Sequence, residues 1–417
     1  MITNYSGEFL ISSIPLELSM NYCSHSCAYC FANLNNPDRS FDFKAFTKQI
    51  TSANTRKDLA SWFIKNKYPV LISNKVDPFA TSNRYQTLAV TEILLQNGNP
   101  IAWQTKGGDA VVISQVLDLI GNASHHWYIS ISFWNDELRK KIEPGAPSIQ
   151  DRLDLIEYLL SKNQKVSIGL NPLIEDWFNL FDLKNFIDFC QKNNINDIWA
   201  EYLHLNHKQE ANLSAKEKEN LTQEIIDISK KRIITRFTNY HQEVVGILQD
   251  KGFNTYSMMQ PYKSNYHKNI DLCYPNKTLP TLQGFLNWCF ENVPDGEFVY
   301  FGEYLDYFED RFPAELWNNK FSDVDGYLYT HQRNLHKRWQ TETGQNRIRI
   351  FKDLLTIFWN NADSHRSIFG IPNFQIVLEV DKKNKHLKKV IDDIHHLPVA
   401  RFSLTAQEDS IYYLDSE

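Results

Sequence analysis

Short apolar segments alternate with longer amphipathic segments along the first half of the chain. The apolar segments predict six strands, at Leu16–Met20, Val70–Ser73, Ile101–Thr105, Trp127–Phe133, Lys165–Leu170 and Asp197–Tyr202. The amphipathic segments predict helices at Phe43–Ile64, Ser82–Gln96, Asp109–Leu119, Ser148–Leu160, Leu183–Lys192 and Ser214–Lys231. Strands that are short and mostly apolar are typical of a sheet buried on both faces.

The order of strand and then helix, repeated six times, predicts right-handed βαβ units and therefore a parallel sheet or barrel. Asp109, Ser148 and Ser214 stand just ahead of amphipathic segments, where helix-capping residues are favoured. We therefore predict an α/β fold, a partial TIM-type (β/α)6 barrel, over residues 1–238.

After about Thr238 the alternation ends, and the chain becomes rich in aromatic residues. Helical spacing continues at Leu279–Asn292, Gly302–Phe308 and Arg347–Asn361, and one alternating segment, Phe374–Val380, predicts a strand. We predict a C-terminal, mostly helical accessory domain over residues 239–417, which closes the open side of the barrel and helps to bind substrate.

Composition narrows the class of protein. The 417 residues are 42% hydrophobic and 23% charged, which excludes a disordered chain, and a net charge of −6 argues against a surface that coats nucleic acid as a whole. A local basic groove stays compatible with that charge. The segment Met1–Leu10 has no secretory pattern, and no apolar run approaches the roughly 20 residues that span a bilayer. We expect a cytoplasmic protein that does not contact a membrane.

Three of the six cysteines, Cys23, Cys27 and Cys30, form a C-x3-C-x2-C pattern directly after the first predicted strand. Thiolates this close can converge on one metal cluster, and three ligands on a four-iron cubane leave one iron open. The carboxyl ends of strands are where parallel barrels build active sites. Structural zinc with His25 as fourth ligand, or unliganded core cysteines, are the alternatives. The position after the first strand of a barrel favours the cluster.

The pattern resembles the signature of the radical SAM superfamily, C-x3-C-x-aromatic-C after the first barrel strand, with Tyr29 in the aromatic position. The resemblance implies a [4Fe–4S] cluster on Cys23, Cys27 and Cys30, with S-adenosylmethionine on the open iron. It implies one-electron cleavage to a 5′-deoxyadenosyl radical, which abstracts hydrogen from a substrate. A reductant such as flavodoxin or ferredoxin would supply the electron.

Further motifs within about the first 175 residues are similar to the spore photoproduct lyase-like branch of that superfamily. They are Asn21–Ala32, Ser73–Phe79, Thr105-Lys106, Ser130–Ser132, and Glu143–Ser148 followed by Arg152-Leu153. Each lies at the end of a predicted strand or the start of a predicted helix. The match in order and position makes the resemblance specific.

The resemblance suggests roles for the polar residues of these motifs. Lys106 and Arg152 are candidate partners of the cofactor carboxylate, because charge-assisted contacts are strong. Ser130 and Ser132 share one strand face and would point toward the ribose or methionine. Asp77, extended before Pro78, would accept from a hydroxyl or amine. The alternatives are solvated charges for the two cations and hydrogen-bonded core hydroxyls for the serines. Glu143 is expected only to begin a turn.

The sequence departs from the lyases at one functional position. They use a cysteine at the end of the second strand to return a hydrogen atom, and this chain has Ser73–Val76 there. Repair of the spore lesion is therefore not expected. Cys190, Cys273 and Cys289 are too widely spaced for a second cluster and are typical of buried small residues. Cys273 is the best remaining candidate for a hydrogen donor.

Three hypotheses describe the substrate and class. The first is a nucleic-acid base or nucleotide, by analogy with the lyase branch. The second is a peptide or small molecule, and the third is a non-catalytic interaction protein that carries zinc or a cluster. A basic stretch interleaved with Trp339 and Phe351 would suit phosphates and bases, although a solvated helix face is the favoured interpretation. Its cations are Arg333, Lys337, Arg338, Arg347, Arg349 and Lys352.

Overall fold

The computed structural model contains two sheets with helices around them. The residues that it describes are 2–4, 14–30, 40–72, 76–200, 239–256, 277–318, 320–321, 339–360 except 342, 346 and 347, 368–407 except 382 and 384, and 410–414.

The larger sheet has eight strands that follow each other in chain order. They are β1 (Ile2–Asn4), β2 (Leu16–Leu18), β3 (Val70–Ile72), β4 (Ile101–Thr105), β5 (His126–Ser130), β6 (Lys165–Leu170), β7 (Asp197–Ala200) and β8 (Asn254–Tyr256). The strands from β2 to β8 are all paired in parallel, and β1 is antiparallel to β2. The predicted partial parallel barrel is confirmed, with one parallel strand more than expected.

Helices separate the strands of this sheet, as predicted. They are α1 (Phe43–Ser52), α2 (Leu59–Lys65), α3 (Arg84–Gln96), α4 (Ala110–Ile120), α5 (Asp136–Ile142), α6 (Ile149–Ser161), α7 (Leu180–Lys192) and α8 (Asn239–Asp250). The single helix expected over Phe43–Ile64 is wrong, because Asp58 accepts a hydrogen bond from Ser61 N and starts a second helix. The short helix α5 was not predicted, and Ser214–Lys231 lies outside the described residues.

Two of the expected helix caps are formed. Asp109 accepts hydrogen bonds from Val111 N and Val112 N at the start of α4. Ser148 and Asp151 form a reciprocal capping box at the start of α6, which fixes the entry to that helix. Ser214 lies outside the described residues.

The two faces of the sheet differ in polarity. One face is apolar and fully buried, for example at Ile72, Trp103 and Trp127, which belong to the main hydrophobic core with residues of the surrounding helices. On the other face, Gln104 pairs across with Tyr128 and Tyr128 with Ser167. Both faces are largely buried in these strands, as expected, since Ala102, His126 and Ser167 of the second face are at most 1% exposed, but alternate residues of β4 to β6 make that face polar.

Strand β8 extends the sheet past residue 238. Asp197–Trp199 of β7 pairs with Asn254–Tyr256 in parallel register. Three residues with two polar side chains give too little apolar pattern to predict such a strand. The sheet thus has strands on both sides of residue 238, and the division into domains at that position stays a prediction.

The C-terminal part combines helices with a second sheet. Its helices are α9 (Leu282–Asn292), α10 (Phe301–Glu309), α11 (Ala314–Asn318) and α12 (Phe351–Asn360). Its strands are β9 (Phe298–Val299), β10 (Phe374–Val380), β11 (Leu387–Lys389), β12 (Ala400–Phe402) and β13 (Ile411–Tyr413). The expected helical region is present, and the strand predicted at Phe374–Val380 is confirmed. The other strands have two or three residues, too few to show alternation.

The packing of the apolar face predicts that truncating one of its buried side chains lowers the stability of the protein strongly. Trp127 is fully buried and stacks on Trp103 with ring centroids 4.3 Å apart. We expect Trp127→Ala to lower the free energy of unfolding by about 3–5 kcal/mol, because it leaves a cavity in the core. The exposed Phe181, 72% accessible, provides the control, and Phe181→Ala should cost less than about 1 kcal/mol. Equal effects in denaturant titrations would contradict this packing.

Candidate active site at the cysteine loop

The cysteine loop, residues 23–30, leaves the carboxyl end of β2 and is held by backbone hydrogen bonds. Ala28 N donates to Ile142 O at 2.8 Å, and Gly145 N donates to His25 O at 3.0 Å. These bonds join the loop to the turn between α5 and α6. A Cβ atom on Gly145 would overlap Ser24 O, so only glycine allows the turn to approach this closely.

The start of α3 holds the other side of the loop. Ser82 Oγ donates to Tyr22 O at 2.6 Å and accepts from Ser24 N at 3.2 Å. Asn83 Oδ1 accepts from Asn21 N at 3.0 Å. The path of the loop is therefore fixed by contacts with two neighbouring βα segments.

The three thiols of the loop are not in disulfides. Burial, together with the charge of Asp77, raises the pKa of Cys23 to about 12. Burial also raises the pKa of Cys27 well above its usual range, with additional contributions from Glu143, Cys30 and Cys23. Cys23 and Cys27 therefore hold their protons, and a metal group would bind by displacing them.

The donor set fits an iron–sulfur group. Three soft thiolate donors on one short loop are the ligands that iron–sulfur clusters take. His25, the fourth ligand of the zinc alternative, instead has Nδ1 3.4 Å from Asp77 Oδ2, and burial lowers its pKa. Within the described ranges, no three His, Cys, Asp or Glu side chains are grouped to hold a single metal ion. The three thiols by themselves and the thiols with His25 are both included, so the case for an iron–sulfur group rests on the chemistry of the donors.

Asp77 joins three segments at the carboxyl edge of the sheet. Its Oδ1 accepts from Thr105 Oγ1 at 2.7 Å and from Phe79 N at 2.9 Å. Its Oδ2 accepts from Lys106 N at 2.6 Å and faces His25. In this arrangement Asp77 braces the ends of β3 and β4 against the cysteine loop. Its predicted contact with the cofactor stays a prediction.

Tyr29, Lys106, Glu143 and Arg152 form what we call the charged network. Lys106 Nζ lies 2.8 Å from Glu143 Oε1, and Arg152 Nη2 lies 2.5 Å from Glu143 Oε2. The hydroxyl of Tyr29 donates to Glu143 Oε1 and accepts from Lys106 Nζ. Glu143 and Arg152 are fully buried, whereas 14% of the Lys106 side chain is exposed.

Burial of the Glu143 carboxylate is compensated by its cations. Burial alone would raise the pKa of Glu143, but Lys106 and Arg152 hold it well below its usual range. Burial together with the Glu143 charge raises the pKa of Tyr29 well above its usual range. The network therefore contains an ionised carboxylate and a neutral phenol.

The two cations differ in how they face the site. Lys106 donates to Tyr29, Glu143 and Ser130, which uses all three protons of its ammonium. Arg152 donates to Glu143 and to the carbonyls of Ser130 and Pro147. The structure thus brings both residues to the site, while their direct contact with a cofactor carboxylate stays a prediction.

The two serines reach one acceptor. Ser132 Oγ lies 2.7 Å and Ser130 Oγ 3.3 Å from Asn171 O, so both hydroxyls project to the same side of the chain. Strand β5 ends at Ser130, so Ser132 belongs to the loop that follows. The shared face that the sequence predicts is therefore present, although only one serine is in the strand.

The structure gathers nearly all predicted site residues at the carboxyl edge of the parallel strands. They are Cys23, Cys27, Cys30, Tyr29, Asp77, Lys106, Ser130, Ser132 and Arg152. Cys273 lies outside the described residues. Sequence reasoning missed Glu143, which it assigned to a turn. Its position in the same motif as Arg152 was the available signal.

Comparison with known proteins gives partial matches. No protein-family model matches the chain. Uncharacterized proteins of Mycobacterium tuberculosis and Mycobacterium bovis are 26% identical to it over 180 residues, covering 39% of this chain and 51% of each relative. The chain therefore spans about half the length of these curated relatives. An alanine racemase of Fusobacterium nucleatum is 25% identical over 152 residues, covering 33% of this chain and 42% of the racemase.

Solved structures provide a further comparison. A substituted spore photoproduct lyase with bound AdoMet and dinucleoside spore photoproduct has a TM-score of 0.42 and 13% identity, covering 58% of this chain and 76% of the lyase.

Removing a cation of the charged network should destabilise the protein strongly. We expect Arg152→Met to lower the free energy of unfolding by about 3–5 kcal/mol, because Glu143 then keeps a buried charge with one cation fewer. Arg56 pairs with Asp58 at 2.6 Å but is 45% exposed, so Arg56→Met should cost less than about 1 kcal/mol. Denaturant titration of both variants checks the difference, and a small effect of Arg152→Met would show that the network is not maintained in solution.

Proposed function

We propose that this chain is a radical SAM enzyme that holds one [4Fe–4S] cluster on Cys23, Cys27 and Cys30. The observation that carries the proposal is the loop that follows the first parallel strand with three thiols and is held by backbone hydrogen bonds to the turn between α5 and α6. A fixed backbone on both sides of the loop supports a preformed site. When bound, the cluster and S-adenosylmethionine supply a 5′-deoxyadenosyl radical that abstracts hydrogen from substrate.

The residues around the loop would orient the cofactor and exclude water. Lys106, the partly exposed cation of the network, is the proposed partner of the cofactor carboxylate and would exchange one of its three acceptors for it. Arg152 is fully buried and pairs with Glu143, so it would act by holding the Glu143 carboxylate in place. Ser130 and Ser132 are the proposed partners of ribose or methionine atoms.

The first substrate class that we propose is a nucleic-acid base or nucleotide, as the motif resemblance suggests. The polar sheet face, with Gln104, Tyr128 and Ser167, supports a substrate that forms hydrogen bonds. The alternative is a peptide or small molecule, which the same face would suit. Cys273 is the proposed hydrogen donor. The electron would come from a cytoplasmic flavodoxin or ferredoxin. Within the described residues, no helix is long and apolar enough to cross a bilayer.

Iron content and cofactor cleavage test the proposal. Anaerobically purified protein should be brown, hold about four irons, and release 5′-deoxyadenosine with dithionite and S-adenosylmethionine. Cys27→Ala should abolish the release while circular dichroism stays unchanged. Cys190, buried in α7 away from the loop, provides the matched control, and Cys190→Ala should keep iron and cleavage. A colourless zinc protein would instead support the non-catalytic alternative.

Salt dependence separates the substrate classes. If nucleic acid binds, its affinity should fall steeply with salt, because Lys and Arg displace counterions from phosphates. Single- and double-stranded DNA should be titrated at several salt concentrations. Replacing Arg349 and Lys352 by Gln should reduce the salt slope if the basic stretch contacts phosphates, whereas Lys140→Gln on α5 should leave it unchanged. A flat salt response would favour the peptide or small-molecule alternative.

A further inference from the structure

Glu143 is attached to the cysteine loop by its side chain and by the backbone of the residue before it. The residue before it, Ile142, accepts a backbone hydrogen bond from Ala28 N at 2.8 Å. Its carboxylate accepts from the hydroxyl of Tyr29, which lies between Cys27 and Cys30 in the chain. A fully buried carboxylate is thereby placed beside the proposed cluster ligands.

Lys106 and Glu143 bring opposite charges to the cysteine loop. The carboxylate of Glu143 and the ammonium of Lys106 both hydrogen-bond to the hydroxyl of Tyr29. The side chain of Glu143 is 0% exposed and that of Lys106 is 14% exposed, so water screens these charges little. A fixed negative charge beside the loop would disfavour the gain of a further negative charge by a group bound there, and a fixed positive charge would favour it.

Reduction of an iron–sulfur centre adds one negative charge, and nearby charge is one of the factors that set its potential. Lys106 and Arg152 each carry one positive charge and Glu143 one negative charge, so the three together carry one net positive charge. Loss of the Glu143 charge would leave two positive charges, and loss of the Lys106 charge would leave none.

We propose that Glu143 is a positioning residue that fixes Lys106 beside the cysteine loop and, through its buried charge, lowers the reduction potential of the centre on Cys23, Cys27 and Cys30. This inference rests on the proposed function. Glu143 neither binds the cluster nor touches substrate, and it acts through Tyr29, Lys106 and Arg152.

The test is a reduction titration followed by electron paramagnetic resonance, without S-adenosylmethionine. At the midpoint potential of the unaltered protein, Glu143→Gln should raise the ratio of reduced to oxidised centre about tenfold, equal to 59 mV for a one-electron couple. Lys106→Met should lower that ratio about tenfold. Structural damage would not shift two variants in opposite directions.

A double variant and a surface control complete the experiment. Glu143→Gln combined with Lys106→Met removes one charge of each sign, so its potential should return close to that of the unaltered protein. Glu137→Gln, on α5 with a side chain 79% exposed, should leave the potential unchanged. If Glu143→Gln fails to retain iron, Lys106→Met alone still reports the effect of charge, and an unchanged potential in that variant would overturn the inference.

The outcomes separate the inference from the proposed function. Unaltered protein without iron and without cofactor cleavage would overturn the proposed function. Unaltered protein that cleaves S-adenosylmethionine, with potentials that do not move in Glu143→Gln and Lys106→Met, would overturn the inference alone. Shifts of the same sign in both variants would also overturn it, because they would indicate a change of structure rather than of charge.

Discussion

A buried carboxylate, Glu143, is the group on which the arrangement of the site depends. A buried charge destabilises a protein unless it is paired and hydrogen-bonded, and here Lys106 and Arg152 form the ion pairs. Those two cations come from the end of β4 and from α6, and Tyr29 comes from the cysteine loop. Only the folded barrel brings these segments together, so the charge is compensated only in the folded barrel.

Much of the barrel could be predicted because a short apolar segment in the sequence indicates a buried strand. Ile101–Thr105 and Lys165–Leu170 were predicted with the bounds that the structure has, since both have a buried apolar side and a turn at each end. Ile2–Asn4 and Asn254–Tyr256 were missed because two of the three residues in each strand are polar, so neither stands out as an apolar segment. The break at Asp58 was missed because apolar spacing continues across it, and only the cap reveals a new helix.

The candidate site was predictable where it follows strand ends. Asp77, Lys106 and Ser130 come directly after, or at the end of, strands whose positions the pattern gives, and parallel strands place such residues at one edge. Glu143 follows a short helix that was not predicted, so the local sequence did not indicate where its side chain points. Its partners are distant in sequence, and a resemblance to motifs names residues without saying which of them contact each other.

The charged network lies at the end of the polar face of the sheet. The apolar face carries Trp103 and Trp127, which share the main core with the surrounding helices. The opposite face leads from Ser167 and Tyr128 up to Ser130, and Lys106 Nζ donates to Ser130 Oγ at 3.0 Å. Alternate residues of the same strands therefore have two roles, since one set fills the core and the other leads to the network beside the cysteine loop.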